Sequence, residues 1–455
     1  MTAINKTNIL NKIQANIDAL TTATSAKSVF LAALSADTIS GDRSITVAAP
    51  DNLPDLYTNN LPNGHVIFVN SINLPVVASN CRWLGLDGRV LRDNRYNRVV
   101  WTWGCNLSGQ LGDNTVVSKS SPVSVVGGFS NWCQVSVSFH TAAIRTTGRL
   151  WAWGSNTYGQ LGDNTTVSRS SPVSVVGEFC DWCQVSAASH TAAIRTNGTL
   201  WTWGRNLYGT LGDNTAVNRS SPVSVVGGFT DWCGVSAGGF HIAAIRTNGT
   251  LWTWGFNSNG QLGDNTSGVG TCKSSPVSVV GGFTDWCQVS AGGQMTAAIR
   301  TNGTLWSWGS NGYGRLGDNT TVNKSSPVSV VGGFTNWCQV SAGYSHTAAV
   351  RTNGTLWTWG LNGCGRLGDN TIVNKSSPVS VVGGFTNWCQ VSAGNQHTAA
   401  IRTTGSIWTW GFNGKGQLGD NTIVDKSSPV SVVGGFTNWC SVSAKYHTAA
   451  INSIR

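Results

Sequence analysis

Residues 192–204, AAIRTNGTLWTWG, decide the fold. Asn197-Gly198 separates two runs rich in Ile, Leu, Thr and Trp, and Asn-Gly is the preferred pair for a two-residue type I′ hairpin because both positions need positive φ. That turn predicts a register in which Arg195 faces Leu200, Ile194 faces Trp201 and Ala192 faces Trp203, placing Ile and both tryptophans on one face. A third strand is predicted before the hairpin, from Trp182 to Ala187, and a fourth at residues 172–176 and their equivalents.

The pattern recurs along the chain. Trp-x-Trp-Gly begins at Trp101, Trp151, Trp201, Trp252, Trp306, Trp357 and Trp408, at intervals of 50 to 54 residues. A Trp-Cys pair keeps step at Trp132, Trp182, Trp232, Trp286, Trp337, Trp388 and Trp439. The two series take 21 of the 22 tryptophans and leave only Trp83 outside, so residues 98–455 divide into seven units of about 51 residues. Four-stranded units of this length read as propeller blades. With 56 Gly against 2 Met and only 11% charged residues, a mostly helical protein is excluded, while 40% hydrophobic residues exclude a disordered chain.

The first unit opens on Val99-Val100-Trp101-Thr102-Trp103 without the strand pair that precedes this sequence elsewhere. The last runs to His447-Thr448-Ala449-Ala450-Ile451, short of a hairpin turn. Pairing these two half-hairpins would close a ring and leave no unpaired edge, whereas an open solenoid calls for polar capping repeats. The predicted fold is all-β, a seven-bladed propeller over 98–455 closed by its N- and C-terminal strands.

Motifs such as WGSNTYGQLGDNT (residues 153–165) and VSAASHTAAIRTNGTLWTWG (residues 185–204) resemble the regulator of chromosome condensation repeat, whose signatures are G-Q-L-G and a G-x-x-H-[ST]-x-A segment. The resemblance covers residues 99–451 in all seven units and implies a seven-bladed β-propeller. Members of that family include a nucleotide exchange factor for a small GTPase, a chromatin binder, and many bacterial and viral proteins. It therefore implies fold more narrowly than function.

Residues 1–97 have another composition. Leu10, Ile13, Ile17 and Leu20 share one helical stripe, suited to a short coiled coil or to a helix packed on its own domain, and predict a helical segment within 1–40. The runs Gly64-His65-Val66-Ile67-Phe68-Val69, Leu74-Pro75-Val76-Val77-Ala78 and Arg82-Trp83-Leu84-Gly85-Leu86 predict a small β-module within 41–97. This region resembles the attachment modules that follow a short helix in bacteriophage tail fibres and other virion appendages. No apolar run reaches the ~20 residues of a membrane span or the length of a signal-peptide core.

Six units carry a His after the Trp-Cys strand, at His140, His190, His241, His346, His397 and His447, with Met295 in the fourth. Metal ligands must converge within about 2 Å of one ion, and seven-fold spacing keeps these apart. A structural, hydrogen-bonded role is expected, and no metal or other cofactor. The Trp-Cys thiols recur singly, predicting buried free cysteines that act as small hydrophobes and a reducing compartment for folding. Cys180-x-x-Cys183 has no counterpart in the other units and reads as drift. Asp113, Asp163, Asp213, Asp264, Asp318, Asp369 and Asp420 occupy Leu-Gly-Asp-Asn-Thr turns, where an Asx-turn explains them. No nucleophile elbow, phosphate loop or zinc-protease helix appears, so a non-enzymatic protein is expected.

Most of the net charge of +10 falls after residue 97, where 21 basic residues face 12 acidic ones. One basic residue precedes each Ser-Ser-Pro, at Lys119, Arg169, Arg219, Lys273, Lys324, Lys375 and Lys426. Even spacing predicts a solvated rim and argues against a nucleic-acid groove, leaving only diffuse attraction to anionic polymers.

Against nearly invariant stretches such as Ser-Ser-Pro-Val-Ser-Val-Val-Gly, differences between units gather in two places. The loop after Trp-x-Trp-Gly carries Tyr158, Tyr208, Phe256, Tyr313 and Phe412, and the turn before the His carries Phe139, Phe240, Tyr344 and Tyr446. In a four-stranded meander both connections emerge on one face of the disc, where an insertion at residues 268–272 also falls. These nine aromatics are the predicted binding residues. The first reading is a bacteriophage virion protein, assembled in the host cytoplasm. Residues 1–97 would attach it to other virion proteins or trimerise it, and the propeller would meet a host receptor, a glycan or another virion protein. The second is an intracellular protein-interaction scaffold or exchange-factor-like regulator.

Overall fold

The computed structural model describes residues 97–454. The helix expected within 1–40 and the β-module expected within 41–97 lie outside the described residues, save Asn97. The described residues form seven four-stranded antiparallel sheets. The first blade comprises Trp132–Val137, His140–Arg145, Leu150–Gly154 and Arg169–Ser174, from the axis outward. The second comprises Trp182–Ala187, His190–Arg195, Leu200–Gly204 and Arg219–Ser224. Four more follow the same order, and the innermost strands of successive blades touch around the ring. In the seventh, Trp439–Ala444 and His447–Ile454 come from the C-terminal end, and Asn97–Gly104 and Lys119–Ser124 from the beginning of the propeller. The closing strands pair without interruption from Asn97↔Ile454 to Gly104↔His447, as the two half-hairpins predict.

The hairpin register differs from the predicted one by a residue. Ile194 pairs with Leu200, Ala193 with Trp201 and Thr191 with Trp203. The Arg195 and Thr199 backbones meet at 3.0 Å, and of the intervening Thr196-Asn197-Gly198 only Gly198 has positive φ, at 76°. This is a three-residue loop, a type I turn closed by a glycine bulge, not a type I′ turn. Thr147 and Thr404 at the Asn position fit it, since a β-branched residue resists positive φ. Gly198 is required there because a Cβ would strike the Thr230 carbonyl of the next blade.

The one-residue shift moves Ile to the face opposite the tryptophans, and that is what lets blades stack. Ala142, Ile144, Leu150 and Ala152 of the first blade pack against Trp182, Val185, Ala193 and Trp203 of the second. Each layer between blades repeats this pairing of an Ile face with a Trp face. A blade therefore buries both faces, each against a different surface.

The Gly-Gln-Leu-Gly loops lock the layers. Leu161 is buried, and Gly162, at φ 69°, lies so close to the Trp203 indole of the next blade that a Cβ would sit 2.7 Å from Nε1. A buried asparagine holds each loop from within. Asn156 accepts from Leu161 N–H at 2.9 Å and donates to Asp163 Oδ1 at 3.0 Å and to the Thr165 and Val167 carbonyls at 3.1 Å. Asp163 Oδ1 also accepts from Thr165 N–H and Oγ1, the expected Asx-turn.

Candidate functional site

The turns before the six histidines and Met295 gather at one mouth of the axis, and the loops after Trp-x-Trp-Gly lie beside them. Phe256 N–H donates to the Phe240 carbonyl at 2.9 Å, and Ser155 N–H to that of Phe139 at 3.2 Å. The two variable sets thus share a face. Around the axis the turns are bonded to one another: Gly239 N–H to Gly292 O, Gly293 to Gly343, Tyr344 to Gly394 and Asn395 to Lys445, at 2.8 to 3.2 Å. Ser189 Oγ extends this collar to Gly239 O. The third blade needs glycine here, since a Cβ on Gly239 would lie 2.7 Å from the Gly293 carbonyl, whereas the fifth and sixth place Tyr344 and Asn395 at the same position.

The collar surrounds a depression of about 140 Å³. Phe139, Phe240, Tyr344 and Tyr446 line it, together with Arg205 and Lys445. Phe139 stacks on Tyr446 with centroids 4.2 Å apart, bridging the first and seventh blades. Tyr158, Tyr208, Phe256, Tyr313 and Phe412 stand outside the mouth. Tyr208, Phe240 and Phe256 form one cluster, with Tyr208 and Phe256 4.5 Å apart, and Arg205 lies over both Tyr158 and Phe240. Arg315 lies 5.4 Å from Tyr313. Phe139, Tyr158, Tyr313 and Tyr344 are exposed, whereas Tyr208, Phe240, Phe256, Phe412 and Tyr446 are half-buried. The face therefore has free rings and rings engaged in its own framework.

Beneath the collar runs a ring of buried histidines. His140 meets Thr191 Oγ1 of the next blade at 2.8 Å, and His241, His346, His397 and His447 meet Thr296, Thr398, Thr448 and Thr141 at 2.7 to 2.9 Å. Each threonine hydroxyl donates onward to a loop carbonyl, as Thr191 does to Gln160 O at 2.8 Å. The imidazole Nε2–H must then be the donor to threonine. Two replacements interrupt the ring. Ile242 stands where Thr is expected and leaves His190 Nε2 without a partner, and Met295 Sδ receives the Thr347 hydroxyl at 3.5 Å. Burial lowers the His140, His190, His241, His397 and His447 pKa values from 6.5 to about 3, so the rings are neutral. Replacing Thr191 by Val should destabilise the protein by about 1–3 kcal/mol, because the His140 donor loses its buried acceptor. Urea denaturation checks this, and an unchanged midpoint would remove the relay from the account.

One sequence expectation is refined and another needs correction. The rim cations are not free charges. Arg169 Nε lies 3.4 Å from Asp163 Oδ2, and Lys119, Arg219, Lys324, Lys375 and Lys426 pair likewise with the aspartate of their own loop. Only Lys273, next to the insertion, lacks such a pair among the described residues. The arginines before the hairpins are also engaged. Arg195 bonds Asp181 at 2.8 Å and covers the Phe179 ring, which itself packs on Trp182 and Trp201. The Trp-Cys side chains are half-buried or exposed rather than buried, and the Cys133 and Cys183 thiols donate to the Ile144 and Ile194 carbonyls at 3.1 and 3.3 Å. The inner strand bulges between Trp182 and Gln184, and Cys183 packs only partly buried against the layer facing the third blade.

Among the described residues no group of three or more His, Cys, Asp and Glu could hold a metal ion, and no helix is long and apolar enough to cross a membrane. Sequence reasoning missed the buried loop asparagines, whose signal was their invariance two residues after every Trp-Gly. It also missed Lys445, the one cation in the turns before the His.

Known proteins share the sequence pattern and the fold. The ultraviolet-B receptor UVR8 of Arabidopsis thaliana is 33% identical over 204 residues, 43% of this chain and 44% of the receptor. The probable E3 ubiquitin-protein ligase HERC3 of Homo sapiens is 31% identical over 200 residues, 43% of this chain and 19% of the ligase. The chain thus matches less than half the length of these relatives. Human WBSCR16 superposes with a TM-score of 0.70 at 20% identity, covering 79% of this chain and 100% of that one. Prp20p of Saccharomyces cerevisiae does so with 0.71 at 19% identity, covering 80% and 92%. At such identities the structural likeness shows the fold alone. The regulator of chromosome condensation (RCC1) repeat matches residues 99–144, 147–194 and 197–245. The RCC1-like domain matches residues 223–454, just over half of the sequence, and the chain belongs to that family.

Proposed function

We propose that the chain is a protein-docking module, a scaffold or exchange-factor-like regulator, that engages its partner through the aromatic face around the axial mouth. The observation that carries this reading is the placement of nine aromatics, at positions that vary from blade to blade, on one face of an otherwise repeated frame. Aromatic side chains beside arginine are the usual anchors of protein interfaces. Prp20p, which shares the fold, has binding properties toward Gsp1p and histones, and supports a partner of the same general kind. The virion reading rests on residues 1–97, outside the described range, whereas the relatives are a plant receptor and human ligases. Finding the chain in purified virions would restore it.

The test uses the exposed rings. Replacing Phe139, Tyr158 and Tyr344 by Ala should abolish capture of the partner from cell extract and leave the melting temperature nearly unchanged. Replacing Asn197 and Asn353, in hairpin turns of the opposite face, should leave capture intact. The reverse pattern would place docking on the other face.

A further inference from the structure

Lys445 sits where no other blade has a cation. Its turn is one of the short ones, and the corresponding residues of the first two blades are Ser138 and Ala188. From the seventh blade its side chain crosses the mouth, and Nζ donates to the Ala342 carbonyl of the fifth at 3.4 Å. Lys445 lines the depression together with residues of all seven blades, which places the ammonium close to the axis. One long hydrogen bond to a neutral carbonyl is poor compensation for a half-buried ammonium partly withdrawn from water. Among the described residues Lys445 has no carboxylate partner, and no Asp or Glu lines the depression.

The surrounding charges have the same sign. Arg205 stands at the lip. Where other blades have Gln110, Gln160, Gln261 and Gln417, Arg315 and Arg366 lie beneath the Tyr344 and Asn395 turns, 6% and 5% exposed. They donate through Nη1 to the Tyr344 and Asn395 carbonyls at 3.0 and 3.3 Å, and each Nε has no partner. The Tyr344 turn held by Arg315 is bonded to Gly394, the Asn395 turn held by Arg366 is bonded to Lys445, and Lys445 reaches back to the fifth blade, so the three cations converge on one sector of the collar. Asp425 is the acid that reaches this sector, acting on Arg366, and its Oδ1 is already occupied by Asn413 N–H. An unbalanced positive well, walled by aromatics and the size of one side chain, is built for an anion.

We propose that the axial mouth binds an acidic side chain of a partner protein, with Lys445 as counter-ion, Arg205 at the lip, and Phe139, Tyr344 and Tyr446 against the flanking peptide. This rests on the reading of the face as a docking surface and specifies its centre. The carboxylate displaces the weak carbonyl contact and forms a charge-assisted hydrogen bond with the ammonium.

A fluorescein-labelled, end-blocked tetraglutamate peptide is the probe, followed by anisotropy on the full chain, with tetraglutamine as control. The glutamate peptide should bind and the glutamine peptide should not. Lys445→Met, which keeps the stem and loses the charge, should weaken binding by about ten- to a hundredfold, and Lys445→Arg should restore most of it. Arg315→Gln, which installs the residue of other blades, should weaken it less. Absence of saturable binding, or equal affinity in a folded Lys445→Met protein, would overturn the proposal. So would displacement by inorganic phosphate at the concentration of peptide that half-saturates, since the site would then be one for phosphate. Binding that survives Lys445→Met but is lost in Tyr344→Ala would remove the anion site and leave the docking face standing.

Discussion

At about pH 5 the propeller should unfold at a far lower urea concentration than at pH 8. Six imidazoles lie wholly within the layers between blades, and burial lowers five of them to about 3 and His346 well below 6.5. The unfolded chain titrates these groups near 6.5, so above that value neither state is protonated and stability is flat. Below it only the unfolded state takes up protons. Stability is then lost as pH falls from 6.5 toward 3, by up to about 1.4 kcal/mol per pH unit for each histidine. Proton uptake by these histidines on unfolding should approach six near the middle of that window, about pH 5, and fall again toward pH 3 as the folded rings protonate. The Asp213 carboxyl, held below its usual value by Thr215, Arg219 and Asn206 despite partial burial, adds a further loss at still lower pH. Urea midpoints at pH 8, 7, 6 and 5 measure this, and equal midpoints at both ends would mean that the imidazoles are not buried as described.

Removing residues 447–455 should abolish the folded ring. The deletion strips the strand that pairs with Asn97–Gly104 on one side and Trp439–Ala444 on the other, leaving two bare edges. It also takes Ala449 and Ile451 from one layer, Ala450 from the next, and the ring of His447 from Thr141. Loss of one buried Ile side chain costs about 2–5 kcal/mol, and a whole domain is stable by only about 5–15 kcal/mol. Cooperative melting followed by tryptophan fluorescence should disappear. Removing only residues 453–455 sacrifices the outer pairs and should leave a cooperative transition. A truncation at 447 that melts as the full chain does would show that the ring does not depend on closure.

The architecture was legible because two tryptophan series and two half-hairpins each repeat a physical constraint. The register was not, because Asn-Gly supports two turn types. Thr147 and Thr404 held the deciding clue, being β-branched where a type I′ turn needs positive φ. The His role was readable from the mismatch between seven-fold spacing and metal geometry, and the Thr at the next position supplies its partner. The pairing of rim charges had a signal in the constant spacing of Asp163 and Arg169 and their equivalents, which the insertion before Lys273 breaks. Lys445 stayed hidden because its reach across the axis exists only once the blades are arranged in a circle.

A chain of near-copies faces a counting problem. Each Ile face fits every Trp face, so packing alone scarcely distinguishes a ring of seven from one that skips a blade or borrows one from a neighbouring chain. The closing ladder breaks that degeneracy. It joins eight residue pairs where an internal hairpin joins five, and Asn452 occupies the position that Arg holds in the other blades. A strand that closes one blade early must discard those extra pairs. The seam is thus the element that tells the protein how many blades it has.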